Sequence, residues 1–308
     1  MGLPTDAVVA SRHTKRRASW SSRSGLAAYG FLTPWMLGML LMTLGAMLFT
    51  IYLAFTNYDL LSQPRWIGAL NFHQILQDPN FWTSIRVTFI YVVISVPARL
   101  IASLLVATLL NKEVRGIGIY RALIYLPSLI GGSIGISIGW KKLFDAAGPI
   151  NSVLKAVGLH GPVWLGNPRT AILVIVLLSV WQFGSEMVIF LAGFKQIPGY
   201  LYESATIDGA SAVRQYFHIT LPMLSPIIFF NLVMGTISSF MTFTQVYVLT
   251  DGGPMNSTLF YVLYLYEQAF QYYHMGYAAA LSIILLIMIA VCTGFLFLTS
   301  RFWVKYDV

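Results

Sequence analysis

The sequence has little charge and only one cysteine. Charged residues make up 10% of its 308 residues, whereas soluble domains carry about 25%, so a soluble enzyme is excluded. The lone cysteine, Cys292, excludes a disulfide framework and a cysteine zinc site. No lysine precedes serine or threonine, so the chain lacks the phosphate-binding loop with which many ATPases hold ATP. Any energy for work must come from a partner or an ion gradient.

Two patterns raise the question of catalysis, and neither supports it. The five histidines are scattered without a partner at i+4, so no metal site is predicted. Gly-x-Ser-x-Gly, a motif that can carry a catalytic serine, occurs around Ser133 and Ser137. Both copies lie in an apolar stretch without the strand-to-helix turn that such a serine needs. We interpret Gly131, Gly135 and Gly139 as small residues that let two helices approach closely. No catalytic residue is predicted.

Long apolar runs dominate what is present. The apolar share is 57%, and the mean hydropathy is +0.72. A helix needs about 20 mostly apolar residues to cross the hydrocarbon layer, and lipid favours helices because they satisfy their own backbone groups. The sequence therefore predicts an all-α integral membrane protein with six transmembrane helices. They fall at about 26–56, 84–110, 117–143, 169–194, 222–249 and 276–300.

The basic residues predict the orientation. With the N-terminus inside, 12 of the 19 lysines and arginines lie on the cytoplasmic side, six lie outside, and Arg99 lies within a span. By the positive-inside rule, both termini are predicted to be cytoplasmic. Residues 1–25 are interpreted as a basic arm near anionic headgroups, and residues 26–308 as the six-helix domain. The net charge of +8 thus reflects topology, and no nucleic-acid partner is predicted.

Two ionisable residues, Arg99 and Glu186, lie inside predicted spans. Charges in a membrane are costly and are functional candidates by default. Glu186 follows Trp181, Gln182 and Ser185 on one helical face, so this stripe could line a pathway. The alternative is an interhelical salt bridge or an interface position. We prefer that alternative for Arg99 and leave both open for Glu186.

The loop between the fourth and fifth spans, about 195–222, carries the most informative pattern. Pro198 is predicted to end the fourth span, and Gly209 to reverse the chain after a short helix over 200–207. A second segment, 210–220, leads to a proline in the first turn of the fifth span. The short helix is predicted to enter a groove on another protein, because small residues occupy the centre of one face: Leu201, Ser204, Ala205 and Asp208. A helix lying on headgroups, the alternative, would carry more basic and aromatic residues.

This loop resembles the EAA loop of binding-protein-dependent ABC importer permeases, whose pattern is EAA-x3-G-x9-I-x-LP. Only Ser204 departs from the pattern, and serine keeps the helix face small. The resemblance implies a cytoplasmic coupling helix that docks on an ATPase. Together with Asp208, the matching positions are the predicted coupling residues: Glu203, Ser204, Ala205, Gly209, Ile219, Leu221 and Pro222.

A second stretch narrows the resemblance to the carbohydrate-uptake branch. Residues 246–258 and 264–280 resemble the first permease of sugar systems, of the maltose-permease type; alginate-oligosaccharide importers are among the similar systems. The resemblance covers roughly residues 26–305. It implies a multi-pass permease of the bacterial inner membrane, without catalytic activity or a cofactor of its own. Its implied partners are a second homologous permease, two cytoplasmic ATPases that hold ATP and Mg²⁺, an extracytoplasmic binding protein, and a sugar or oligosaccharide.

The resemblance also implies that sugar contacts come from the middles of spans four and five. Hydroxyl and amide groups can bond sugar hydroxyls, and an aromatic ring can cover a sugar face. Helix packing by small polar residues is the alternative. The predicted pathway residues are Trp181, Gln182, Ser185, Glu186, Asn231, Gly235, Ser238, Ser239 and Thr242.

The segment after span five is predicted to face the binding protein. Gly252, Gly253 and Pro254 force a tight bend that presents Asn256; a purely structural turn is the alternative. Two rival functions remain. One is an ion-coupled secondary transporter with Glu186 as its coupling site, although the inverted repeats typical of such proteins are not evident. The other is a membrane scaffold without transport activity.

Overall fold

The structure, a computed structural model, describes residues 31–112 and 115–305. The chain divides into two compact units after Thr50. The described part of the first unit is the N-terminal portion of helix α1 (Phe31–Ala54), whose mean hydropathy is 2.0. The second unit contains the other described elements. The predicted basic arm, residues 1–25, lies outside the described residues.

The described chain is mostly helical. A two-stranded antiparallel ribbon, β1 (Thr56–Asn57) and β2 (Arg65–Trp66), departs from the all-α expectation. The helices after α1 are α2 Leu70–Gln77, α3 Pro79–Leu110, α4 Ile117–Ile130, α5 Ile134–Leu143, α6 Pro149–Ala156, α7 Pro168–Trp181, α8 Gly184–Phe194, α9 Gly199–Ile207, α10 Ala212–Phe240, α11 Thr244–Leu249, α12 Tyr261–Tyr266 and α13 Met275–Ser300. Turns of π-helix occur at Met39–Gly45, Tyr216–Thr220 and Glu267–Gln271.

Four of these helices are long and apolar enough to cross a membrane: α1, α3, α10 and α13. Two further pairs meet the same criterion only together. Helices α4 and α5 are bent by 99°, and helices α7 and α8 by 41°. The described residues therefore hold four candidate spans, or up to six if each bent pair is one span. The candidates fall on the six predicted stretches.

The third predicted stretch is not one straight helix. It breaks after Ile130, and the Ser133 hydroxyl then caps α5 by accepting from the Ile136 amide at 3.3 Å. A Cβ at Gly131 would collide with the Gln182 side chain, so this glycine does permit close approach. Gly135 and Gly139 have open space around them. Within the described residues the predicted close approach is therefore seen at Gly131 alone of the three glycines.

The fifth predicted span also differs from its expected bounds. Helix α10 begins at Ala212, because the Ser211 hydroxyl accepts from the Arg214 amide and caps it. The separate segment expected over 210–220 is thus part of the same helix. At the other end, α10 stops at Phe240, where the amides of Met241 and Thr242 tighten the last turn. The expected span to residue 249 is therefore interrupted before α11.

Two buried apolar clusters hold the second unit together. One joins α3, α7, α12 and α13, and the other joins the end of α3 to α8 and the first half of α10. In the second cluster Met187, Phe190 and Leu224 are fully buried. A Cβ at Gly193 would lie 2.9 Å from Leu224 and would collide with Ile227. Glycine here lets α8 and α10 pack closely, and this contact supports the loop between them.

Candidate functional site

Helix α9 forms as the sequence predicts. It begins after Pro198, whose extended backbone serves as the N-cap, and it ends at Asp208. Gly209 follows with φ of +76°, the left-handed conformation that glycine adopts without a steric penalty. The chain then reverses into α10. A short helix thus stands alone between two helices of the second core cluster.

The exposed face of α9 differs from the predicted one. Leu201 packs against the second core cluster, so it faces inward and not toward a partner. Glu203 and Ser204 are exposed, and Ile207 is 87% exposed. The outward surface therefore centres on Glu203 and Ile207, one helical turn apart. Ile207 was not predicted, although its i+4 spacing from Glu203 is the signal that could have found it.

Side-chain hydrogen bonds fix α9 to the start of α10. The Tyr202 hydroxyl lies 2.9 Å from the Thr220 hydroxyl. The Gln215 amide donates to the Thr206 hydroxyl at 3.0 Å and to the Ala210 carbonyl at 3.1 Å. These hydrogen bonds link the position of α9 to that of the start of α10.

Four of the remaining predicted coupling positions lie on this supporting side. Ala205, Leu221 and Pro222 are partly buried, and partly buried Ile219 packs against the second core cluster. Asp208 and Gly209 are exposed at the end of α9. The sequence motif thus combines an outward surface with the residues that support it.

A cavity of about 310 Å³ lies where three helices are interrupted. Helix α7 ends beside it, α10 ends beside it, and the break between α4 and α5 reaches it. Helix ends leave backbone groups without intrahelical partners, so this region is more polar than a continuous span. Its lining residues are Tyr91, Arg99, Gly132, Ile175, Ser179, Gln182, Ser238, Met241, Thr242, Phe243, Thr244 and Gln245.

An ion pair stands beside this cavity. Arg99 Nε donates to Glu186 Oε1 at 2.9 Å, and Arg99 Nη2 donates to the Ser238 hydroxyl at 3.2 Å. Gly235 leaves room for the guanidinium, because a Cβ there would lie 3.2 Å from Nη2. The interhelical salt bridge considered for Arg99 and Glu186 is thus the observed arrangement. Arg99 lines the cavity, whereas Glu186 does not.

The structure brings part of the predicted pathway together. Gln182, Ser238 and Thr242 line the cavity. Trp181 instead packs with Trp140, at 5.8 Å between ring centroids. Ser185 is exposed and lies outside the lining.

Two other predicted pathway residues are buried in the helix packing. The Asn231 amide nitrogen and the Ser239 hydroxyl have no hydrogen-bond partner within the described residues. Sequence reasoning missed several lining residues, among them Tyr91, Ser179 and Gln245. Tyr91 and Ser179 lie in continuous apolar runs without a local signal, and Gln245 reaches the cavity only because α10 ends early.

A second polar cavity, of about 440 Å³, lies near the segment between β1 and α3. Asp78 caps α3 there, accepting from the Asn80 amide at 2.8 Å, while its other oxygen accepts from the hydroxyls of Tyr264 and Tyr277. Burial raises the pKa of Tyr264, and Asp78 adds to this effect, so the phenol stays a donor. This cluster ties the start of α3 to α12 and α13.

The segment predicted to face a binding protein forms a tight loop. Gly252 has φ of +80°, and Asn256 has φ of +57°. The Asn256 amide donates to Asn80 Oδ1 at 3.2 Å, and Gly253 accepts from the Thr258 hydroxyl at 2.6 Å. The loop is internally bonded, as a purely structural turn would be, and Asn256 remains exposed, as a contact with a binding protein requires. This geometry is therefore compatible with both alternatives.

Among residues 31–112 and 115–305, no three histidine, cysteine or acidic side chains are placed to hold a metal ion. The described residues thus offer two candidate functional features, the exposed surface of α9 and the polar cavity lined by Arg99.

Comparison with known proteins places this geometry in a family. The family model described as "Binding-protein-dependent transport system inner membrane component" matches residues 79–302. A probable ABC transporter permease protein, YesP of Bacillus subtilis, is 47% identical over 289 residues, covering 92% of this chain and 94% of that protein. The lactose transport system permease protein LacF of Rhizobium radiobacter is 34% identical, covering 77% of this chain and 82% of that protein.

The fold is also found among solved structures. A chain in a bacterial alginate ABC transporter, in complex with an alginate pentasaccharide-bound periplasmic protein, matches with a TM-score of 0.81 and 24% identity. The match covers 93% of this chain and 98% of that one. The matched fold, the family model and the relatives agree, and the chain belongs to the inner-membrane permeases of binding-protein-dependent ABC transport systems.

Proposed function

We propose that this permease imports sugars or oligosaccharides, with its six spans arranged so that both termini and α9 are cytoplasmic. In this proposal it pairs with a second homologous permease. Two cytoplasmic ATPases bind ATP and Mg²⁺ and drive transport, while an extracytoplasmic binding protein delivers the sugar. The sugar specificity rests on relatives such as the lactose permease and on the polar cavity.

The observation that carries the proposal is the continuity between α9 and the cavity. Helix α9 exposes Glu203 and Ile207 at one end. Its hydrogen bonds to α10 tie it to the helix that ends beside the cavity. An ATPase that moves α9 would therefore move one wall of the cavity, which is the kind of rigid-body switch that couples distant sites.

The cavity lining suits sugar hydroxyls. Gln182, Ser238 and Thr242 offer amide and hydroxyl groups, and Tyr91 and Phe243 contribute aromatic rings. Ligand sites combine such apolar walls with a few placed polar groups.

Ion-coupled transport through Glu186 is less well supported. Its Oε1 atom is engaged by Arg99, and family membership favours ATP-driven import. A proton or cation binding at Glu186 would first have to break this pair.

Reconstituted uptake tests the proposal. The complete transporter is placed in proteoliposomes, and radiolabelled sugar uptake is measured with ATP plus binding protein, with an ion gradient, or with neither. Uptake only with ATP and binding protein is expected. Uptake driven by the ion gradient alone would establish the rival transporter, and no uptake under any condition would favour a scaffold.

Single leucine substitutions then test the pathway. Gln182→Leu and Ser238→Leu alter the cavity lining, whereas Ser185→Leu lies outside it. Loss of uptake is expected in the first two variants, with the complex still assembled. Equal uptake in all three variants would contradict the assignment of the pathway to this cavity.

A further inference from the structure

The Arg99 guanidinium is the only charged group in the cavity lining formed by the described residues. No carboxylate accompanies it in that lining. Glu186, its ion-pair partner, lies outside the lining, and Glu186 Oε2 is buried without a hydrogen-bond partner. The arginine of the ion pair therefore lines the cavity, whereas its carboxylate partner does not.

The hydrogen bonds of Arg99 leave one side of its planar fork available. Nε is bonded to Glu186, and Nη2 is bonded to Ser238. Within the part of the chain that the structure describes, Nη1 makes no hydrogen bond. A guanidinium carries five N–H donors in a fixed plane, so donors remain for a ligand.

Glu186 and Gly235 position this group. Pairing with Glu186 lowers the cost of keeping a guanidinium among membrane helices, since an unpaired charge there is expensive. Gly235 leaves space for the guanidinium beside α10. Arg99 is thus held in place before any ligand arrives.

We infer that Arg99 reads the charge of the substrate and that the permease prefers sugars carrying a carboxylate, the uronic acids. This inference rests on the proposed function and specifies its substrate class. Charge-assisted hydrogen bonds are about twice as strong as neutral ones, and a guanidinium matches a carboxylate with two parallel bonds. A neutral sugar can accept from the same donors, but it lacks the negative charge and the carboxylate geometry that match the guanidinium.

A matched pair of sugars tests the inference. The probes are a uronic acid trisaccharide and the same trisaccharide with its carboxyl groups reduced to hydroxymethyl groups. Binding to the complete transporter in nanodiscs, without binding protein, is measured by ligand-observed NMR, which detects weak complexes. The readout is the ratio of the two affinities within each variant, so an effect common to both sugars cancels.

The two ends of the ion pair give opposite predictions. The wild type is expected to prefer the uronate by about tenfold, the effect of one charge-assisted contact. Arg99→Gln abolishes this preference, and Arg99→Lys reduces it, because lysine keeps the charge without the fork. Glu186→Gln increases the preference, because Arg99 then has no carboxylate of its own. A purely structural ion pair would leave the ratio unchanged in every variant.

Several outcomes overturn the inference. One is a wild-type transporter that does not bind the uronate, or that binds both sugars equally well. Another is an affinity ratio in Arg99→Lys and Glu186→Gln that equals the wild-type ratio. A third is a change of the affinity ratio in the same direction in these two variants. If Arg99→Gln does not assemble, these two milder variants decide. If neutral sugar is taken up with ATP and binding protein, and the uronate is not preferred in binding, the inference about Arg99 is refuted while the proposed function stands. Absence of uptake with every sugar would instead refute the proposed function.

Discussion

Shortening Ile207 to alanine tests whether α9 is the surface that meets the ATPase. The side chain is 87% exposed, so its removal is expected to leave the stability of the permease unchanged within about 0.5 kcal/mol. If the side chain enters a groove on the ATPase, the change removes three buried carbons at about 0.8 kcal/mol each. The association of this site should then weaken by about 2 kcal/mol, or about thirtyfold.

The assay is a titration of purified ATPase onto the permease pair in nanodiscs, with ATP hydrolysis as a second readout. Met255→Ala is the matched control, because Met255 is a 91% exposed apolar side chain in the loop that our topology places outside. Its ATPase affinity should equal that of the wild type. An affinity within twofold of the wild type for Ile207→Ala, or an equal loss in both variants, would refute the docking assignment.

Three further predictions concern the turn, the helix break and the loop. Gly209→Val forces a branched residue to φ of +76° at about 1–2 kcal/mol, so transport-linked ATP hydrolysis should fall while membrane insertion, checked by fractionation, stays normal. Gly131→Ala collides with Gln182 and should lower the melting temperature, whereas Gly135→Ala, with open space around it, should not. A cysteine at Asn256 should crosslink to the binding protein in the ATP-bound transporter, and an absence of adducts in every nucleotide state would indicate a structural turn.

The backbone course of the loop between α8 and α10 was predictable because its signals are local. Proline at 198, with its fixed ring and missing donor, keeps α8, which ends at Phe194, from running on into α9. Glycine at 209 supports a reversal that few other residues tolerate. Both effects act within a few residues of the chain. The inward orientation of Leu201 was not predictable, because it depends on the second core cluster, which is assembled from distant helices.

The cavity was only partly predictable, since hydropathy measures how apolar a stretch is but does not show where its helix bends or ends. The 99° bend after α4 and the end of α10 at Phe240 leave the apolar average almost unchanged. Each of them nevertheless decides which side chains meet. The pairing of Arg99 with Glu186 likewise joins residues of different helices, so each residue alone suggested only that a partner must exist.

The length of α10 has a mechanical consequence. Its 29 residues span about 43 Å at about 1.5 Å per residue, from the turn after Gly209 to the rim of the cavity. For a stiff rod of this length, a tilt of about 5° about one end displaces the other by about 4 Å. That displacement exceeds the radius of a water molecule, so a small rotation of a docked subunit is geometrically sufficient to admit or exclude water at the rim of the cavity.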